Sequence, residues 1–510
     1  MGLGDFQREV VVRHSLFVLL AICISAAGQQ PDVGEVSFRN SGTAAAQEDF
    51  LAGLAQLHNF EYEDAAARFR KAAQIDPSFA MAFWGEAMTF NHPVWHQQDL
   101  NAAREVLNRM RKSATTTSAR EKLYLDSLEV LYGDGPLQDR NRRYAEAMAA
   151  LQQKYPDDVD AAAFHALAIL GAVPEGRDFP AYMRAAAILE EVFPAHPRHP
   201  GVVHYLIHCY DDSVHAPLGL RAARIYSKIA PNAGHAQHMT SHIFLALGRW
   251  DDTARANENA VAVANRTRSQ AGHQPRAGGH YNYWLQYSYL QQGRVADARR
   301  ILEGCKREAE AVTSAAPGAA FEIDPDNTPA GSYAQMRANF LIDTQLWTDA
   351  AASWIAPRGA NPSALFTFHY ATALAALKAT GKPAAEQVAR VEADQKLVAA
   401  QLNGHHPAGV ETLARARVGI LTRQIQALQM ATLGKTGGAI ELLTSAALDE
   451  RGMPMEFGPP FVDKPGDELL GELYLDQKKP AQAAEAFRLA LERAPGRRVS
   501  VEGLARAEQR

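Results

Sequence analysis

Histidine residues supply the most informative spacing in this 510-residue chain, which contains 18 of them. His204 and His208 are four residues apart, as are His238 and His242, so each pair predicts two imidazoles on one face of a helix. Each member of the second pair lies 34 residues after its counterpart in the first. This regular separation predicts that equivalent faces of two repeated helices meet.

Imidazoles in this pattern could bind a transition metal. Two rings at i and i+4 can chelate one ion, and a second pair on a neighbouring helix can complete a tetrahedral or octahedral shell. Zinc, copper or nickel would fit such nitrogen-rich ligands. Asp211 or Asp212, or Glu322 and Asp324 in an acidic loop, could add an oxygen ligand or orient an imidazole. The candidate metal ligands are His204, His208, His235, His238 and His242.

Recognised catalytic motifs are missing from the sequence. Tyr205 and Met239 stand where an HExxH zinc-protease motif would need glutamate, and there is no CxxC, no GxSxG and no phosphate-binding glycine-rich loop. No catalytic residue is therefore assigned, and a binding protein is favoured over an enzyme. If the chain is an enzyme, activation of metal-bound water or oxidative chemistry is the expected reaction type.

Composition favours an array of helices. Residues A, V, I, L, M, F, W, Y and C make up 47% of the chain, with long alanine-rich stretches and few β-branched runs, which suits closely packed helices. At 510 residues the chain exceeds one compact core, so it contains several domains or a repeat array. The net charge is -5 and the basic residues are scattered, so nucleic acid is not an expected partner.

The N-terminus has the order of a secretory signal peptide. Arg8 and Arg13 precede an apolar run at 16–24, and the small residues 25–28 follow it. The run is too short to span a bilayer comfortably, so no transmembrane span is expected after cleavage. We expect export to the periplasm or the medium. A lipid anchor on Cys23 is an alternative, although a bulky residue precedes that cysteine.

Both ends of the mature chain resemble the tetratricopeptide-repeat (TPR) superfamily. The segment 467–495 resembles one TPR unit, and a second runs from about 46 to 77. In the first of these, seven residues fall on the family's positions 7, 8, 11, 20, 24, 27 and 32: Leu470, Gly471, Tyr474, Ala483, Phe487, Ala490 and Pro495.

The resemblance implies an all-α fold, a TPR-like α-solenoid in which antiparallel helix pairs form a right-handed superhelix after the signal peptide. We expect eight to ten helix pairs, and an ordered loop at 451–467 that lies over the concave surface. The predicted organisation is a signal peptide at 1–28, a flexible segment at 29–45, a repeat array at 46–500 that is degenerate at 101–195 and 350–410, and a polar tail at 501–510.

The family frame also predicts which residues line a groove. Positions 2, 5, 9, 12 and 13 of a TPR face the concave side, and the five histidines fall on positions 2, 5 and 9 of two consecutive units. The resemblance therefore implies a groove that binds a peptide or protein partner. Its other predicted lining residues are Trp84, His92, Asp211, Asp212, His280, Tyr283 and Tyr287.

A narrower resemblance leaves the activity open. HPGVVHYLIHCYDDSVHAPLGLRAARIYSKIAP, followed by HAQHMTSHIFLALGRWDD and by FGPPFVDKPGDELLGELYL, is similar to a group of exported bacterial His-rich TPR proteins that have no assigned activity. Two hypotheses result: a partner-binding groove lined by histidine and aromatic side chains, or a metal-binding protein or metal-dependent enzyme built on the same histidines. A metal site requires at least three imidazole nitrogens that converge on one point.

Overall fold

The computed structural model describes residues 32–113, 117–174, 176–311, 328–402 and 408–509. The predicted signal peptide at 1–28 and the acidic residues Glu322 and Asp324 lie outside these ranges. Within them the chain is almost entirely helical, with 22 α-helices and one small hairpin.

The first eleven helices are α1 (Gln47–His58), α2 (Tyr62–Ile75), α3 (Ala80–Met88), α4 (Leu100–Ser113), α5 (Ala119–Leu131), α6 (Leu137–Lys154), α7 (Val159–Gly171), α8 (Phe179–Val192), α9 (Pro200–Tyr210), α10 (Ala216–Ile229) and α11 (Gly234–Ala246). The next eleven are α12 (Trp250–Gln270), α13 (His280–Gln291), α14 (Val295–Ala311), α15 (Pro329–Thr344), α16 (Pro362–Thr380), α17 (Ala385–Gln401), α18 (Ala408–Thr432), α19 (Thr436–Gly452), α20 (Gly466–Asp476), α21 (Pro480–Arg493) and α22 (Arg498–Glu508). The hairpin pairs β1 (Asn91–His92) antiparallel with β2 (Gln97–Gln98).

Consecutive helices pack against each other along the whole described chain. Ten successive pairs run from α1/α2 to α13/α14 and from α16/α17 to α20/α21, while α15 and α22 stand outside this pairing. The fold is a TPR-like α-solenoid, which confirms the predicted fold class. Among the described residues, none of the helices combines the length and the apolar character that a membrane span requires.

Glycine and phenylalanine fit the two helices of a pair together. A Cβ atom on Gly471 would lie 2.9 Å from the ring of Phe487, and one on Gly53 would lie 3.1 Å from the ring of Phe69. Both distances are too short for a side chain, so glycine lets α20 approach α21 and α1 approach α2. These are the contacts that the TPR resemblance implies.

The solenoid closes on itself in its N-terminal part, because α1 packs against α9. The turn after α1 is hydrogen-bonded to α10 and α11. The Asn59 side chain accepts a hydrogen bond from the hydroxyl of Tyr226, on α10, at 2.7 Å. Glu61 accepts one from the backbone amide of His235 at 3.0 Å. The inner face between α1 and α11 is therefore filled with side chains rather than open to water.

The segment before α1 contributes to this core. Residues 32–43 belong to the stretch predicted to be flexible, yet Val33 and Phe38 are buried, and the ring of Phe38 stacks on Trp84 at 6.2 Å. Apolar side chains of α1 to α11 form one large core and those of α12 to α21 form another. The segment that contains the regularly spaced histidines, 204–280, spans the junction between the two cores.

The glycine–phenylalanine contact predicts a strong effect on stability. Phe487 is fully buried, so Phe487→Ala should lower the free energy of unfolding by about 3–5 kcal/mol through lost burial and a residual cavity. Leu448→Ala is the matched control, because Leu448 is 55% exposed and its loss should cost less than about 0.5 kcal/mol. Urea unfolding followed by circular dichroism measures both. Equal effects would contradict this account of the pairing.

Candidate metal centre

Three neighbouring helices bring six imidazoles together. His204 and His208 project from α9, while His235, His238 and His242 project from α11, which packs beside it. The sixth ring belongs to His280, the first residue of α13, whose centroid lies 4.6 Å from that of His238. Four of the rings are buried, and those of His235 and His280 are half-buried.

The first cluster consists of His204, His208 and His235. One nitrogen from each ring lies within 4.8 Å of the others, and the Nε2 atoms of His204 and His235 are 3.2 Å apart. His208 Nε2 is buried and has no hydrogen-bond partner among the described residues. A buried imidazole nitrogen without a hydrogen-bond partner is a candidate metal ligand.

The second cluster repeats this arrangement one repeat later, with His238, His242 and His280. The Nε2 atom of His238 lies 3.0 Å from the Nε2 of His242 and 3.0 Å from that of His280. The two clusters are adjacent, because the ring centroids of His208 and His242, and those of His235 and His238, are 6.2 Å apart.

Hydrogen bonds on the far side of three rings determine where their protons are. The Nδ1 atom of His204 is 2.7 Å from the backbone oxygen of His58, and that of His242 is 2.5 Å from a carboxylate oxygen of Asp211. These partners only accept hydrogen bonds, so each Nδ1 carries the proton and each Nε2 carries a lone pair.

His238 is oriented in the same way. Its Nδ1 lies 2.7 Å from the side-chain oxygen of Asn257, whose amide nitrogen donates to the backbone oxygen of Thr253 at 2.9 Å. That second bond fixes which end of the amide faces the ring. The Nε2 atoms of His238 and His242 therefore point lone pairs at each other across 3.0 Å.

Burial favours the neutral form of four rings. It is the main cause that lowers the pKa of His204, His208, His235 and His238 well below its usual value, and the neighbouring imidazoles lower it further. A metal ion between facing nitrogens would remove the repulsion between their lone pairs. Nitrogen ligands about 2.0–2.1 Å from a tetrahedral ion stand about 3.3 Å apart. The observed separations of 3.0 and 3.2 Å are close to that value.

A third group, His58, Asp160 and His199, requires no ion. His199 Nδ1 accepts a hydrogen bond from the backbone amide of Val202, so its Nε2 donates to Asp160 Oδ1 at 3.3 Å. His58 Nε2 lies 2.9 Å from the same oxygen, and its Nδ1 lies 3.0 Å from the hydroxyl of Tyr205. Burial lowers the pKa of His58 to about 4. All four ring nitrogens of this group have hydrogen-bond partners, and only Asp160 Oδ2 lacks one among the described residues, so we assign the group a structural role.

Aromatic side chains cover the first cluster. The ring of Phe60 is 4.4 Å from that of His204 and also packs beside His208 and His235. Phe60 follows α1 with a φ of 58°, a left-handed conformation that costs a bulky residue of order 1–3 kcal/mol. Gly248, in the turn after α11, has a similar φ of 65°, and no aromatic side chain is needed at that position to cover the histidines. The strain is therefore tolerated where the side chain closes the site.

The second cluster is covered from the other side. Trp284 lies 4.4 Å from His242 between ring centroids, and Phe457 lies 5.4 Å from it. Phe457 belongs to the loop at 451–467, and the adjacent Gly458 packs against Trp284. The loop thus lies over the inner face, as predicted. Together with Phe60 it keeps water away from most of the imidazole surface.

The remaining predicted groove residues do not share one surface. Trp84 is fully buried among Phe38, Tyr124 and Phe164. It therefore does not line an open groove, in contrast to the prediction.

Other predicted lining residues make structural contacts. Asp212 pairs with Arg177 at 2.8 Å, and His92 stacks on Tyr62 at 4.0 Å. Tyr287 is buried and accepts a hydrogen bond from Arg497 at 3.1 Å. Tyr283 is half-buried beside Trp284. Of the groove set, Asp211 and His280 join the imidazole clusters.

Two functional residues were not predicted in their observed roles. His280 was assigned to the groove rather than to the metal ligands, although it occupies the same repeat position as His235. Asn257 was not singled out, because it lies on the second helix of its pair, where the family frame expects no inner-face residue. The repeat frame already placed His280 on the inner face, whereas nothing in the sequence points to Asn257.

Comparison with known proteins adds no functional assignment. No family model matches the chain, and no curated protein matches it. Among solved structures, the hetero-tetramer of Cut9 and Hcn1 aligns at 13% identity over 92% of this chain and 78% of that one, with a TM-score of 0.36. Yeast Tom70 aligns at 13% identity over 91% and 88%, and a human IFIT1 dimer with PPP-AAAA at 13% over 92% and 91%, both with TM-scores of 0.36. Scores this low carry no argument about the site.

The bond between Asp211 and His242 predicts an effect on metal affinity. Asp211→Asn removes the charge that strengthens the ligand nitrogen, so zinc should bind the second cluster about 10- to 100-fold more weakly. Asp394→Asn is the matched control, because Asp394 lies 2.5 Å from Nδ1 of His369, and neither residue belongs to a cluster. Competition with a chromophoric chelator measures the affinities. A similar loss in both variants would refute a role for Asp211 at a metal centre.

Proposed function

We propose that this chain is a metalloprotein that holds two transition-metal ions in adjacent sites, each made of three imidazoles. The observation that carries the proposal is the convergence of lone pairs: His238 and His242 donate their Nδ1 protons outward, and their Nε2 atoms still stand 3.0 Å apart. A cation between them would bind both lone pairs and so account for this contact.

The donor set favours zinc, copper or nickel. Each cluster offers three nitrogens and no oxygen, whereas magnesium, calcium and manganese prefer carboxylate and carbonyl oxygens. Asp211 accepts a hydrogen bond from His242, so it orients this ligand rather than binding the ion itself. Three protein ligands leave at least one coordination position for an exogenous molecule, which is typical of catalytic rather than structural metal sites.

A histidine-lined groove for a peptide is less well supported. A TPR-like fold is generally a protein-binding scaffold, and protein partners are compatible with it. The rings of His204, His208, His238 and His242 are buried, however, so they cannot contact a peptide without reopening of the packing around Phe60 and Phe457. Any partner would have to bind elsewhere on the solenoid.

Elemental analysis tests the proposal. Purified protein incubated with zinc and then dialysed should retain two ions per chain, measured by inductively coupled plasma mass spectrometry. His204→Ala/His208→Ala should retain one ion, and so should His238→Ala/His242→Ala. The control variant His165→Ala/His369→Ala should retain two, since neither residue lies in a cluster. A folded, metal-free wild-type protein would refute the proposal.

Export is part of the same proposal and rests on the sequence of residues 1–28. Expression in a bacterial host with an intact secretory system should yield a mature protein that starts after Ala27 or Gly28. N-terminal sequencing of the protein released from the periplasm measures this. Retention of residues 1–28 in a cytoplasmic fraction would contradict export without affecting the metal sites.

A further inference from the structure

We infer that the two clusters, when loaded with copper(I), bind one dioxygen molecule between the two ions. This inference rests on the proposed metal sites and goes beyond them by naming the metal and the small molecule that it activates.

Helix α11 supplies ligands to both clusters, so the two ions must be neighbours. His235 belongs to the first cluster and His238, one turn further along the same face, to the second. A second contact between clusters joins His208 and His242, with 6.2 Å between ring centroids. Two adjacent ions that each have an open coordination position can accept one ligand that bridges them.

The charge of the surroundings favours copper(I). Asp211 brings one negative charge behind His242, which is less than the charge of any two metal ions, and aromatic rings enclose the sites on the sides formed by Phe60, Trp284 and Phe457. The free energy required to bury a cation rises steeply with its charge. Two copper(I) ions bring a charge of +2, whereas two divalent ions bring +4. Copper also suits imidazole ligands and can change its oxidation state, which zinc cannot.

Dioxygen fits this enclosed pair for the same reason. It is small, apolar and uncharged, so it can enter from the side where His235 and His280 are half-buried. Each copper(I) gives one electron, which yields two copper(II) ions and one bridging peroxide, and no proton is taken up or released. The total charge stays at +2, because the two added positive charges on copper are balanced by the two negative charges on peroxide. One ion alone could supply only one electron.

Oxygen uptake by the copper(I)-loaded protein tests the inference. Anaerobic protein with two copper(I) ions per chain should consume one dioxygen molecule per two copper ions on mixing with oxygenated buffer, measured with an oxygen electrode. Electron paramagnetic resonance of the product should show almost no copper(II) signal, because the bridged spins couple. Zinc-loaded protein should consume no oxygen.

Variants separate a paired site from two independent ones. His280→Ala removes a half-buried ligand of the second cluster, so it should lose paired uptake and give a copper(II) signal from isolated ions. The control His369→Ala should behave as the wild type. A wild-type protein that binds two copper ions but takes up no oxygen, or gives the full signal of uncoupled copper(II), would overturn the inference and leave the metal sites intact. Failure to bind any metal would instead refute the proposed function.

Discussion

The packing of the end of α1 against α9 and α11 is the contact on which the candidate site depends. It brings the carbonyl of His58 to His204, places Phe60 over three imidazoles and ties Glu61 to the backbone of His235. In an open solenoid the same rings would face water and titrate near their usual pKa. Closure places them in the protein interior, where polar groups must be paired or bind an ion.

Buried charge elsewhere in the molecule shows how the interior normally satisfies such groups. Lys464 is buried next to Glu468, at 2.8 Å, and Arg497 is buried next to Asp343, at 2.6 Å. Each of these charges has an opposite charge beside it. The second imidazole cluster is different, because the converging Nε2 atoms of His238 and His242 are both acceptors, and their Nδ1 donors point outward to Asn257 and Asp211. An arrangement of this kind is stable when a cation occupies its centre.

The histidine spacing and the repeat frame were enough to predict the helical array and to place all six imidazoles on its inner face. His280 was not counted among the metal ligands, because α12 has 21 residues while its counterpart α10 has 14, so His280 falls outside the 34-residue spacing that links the other histidines. Contacts over long sequence distances, such as His58 with His204, leave no local pattern. Trp84 was assigned to the groove from its repeat position alone, whereas its burial results from contacts with Phe38, Tyr124 and Phe164, which no local pattern reveals.

The repeat also explains why there are two clusters rather than one. Each takes an i, i+4 pair from one helix and a histidine from the start of the next first helix in the array. The outer partners do not repeat: His204 bonds to a backbone carbonyl, His238 to an amide and His242 to a carboxylate. A carboxylate partner makes the opposite nitrogen a stronger ligand and brings a negative charge near the ion. The second site should therefore stabilise the higher oxidation state of a bound metal more than the first, so two identical ions would differ in reactivity.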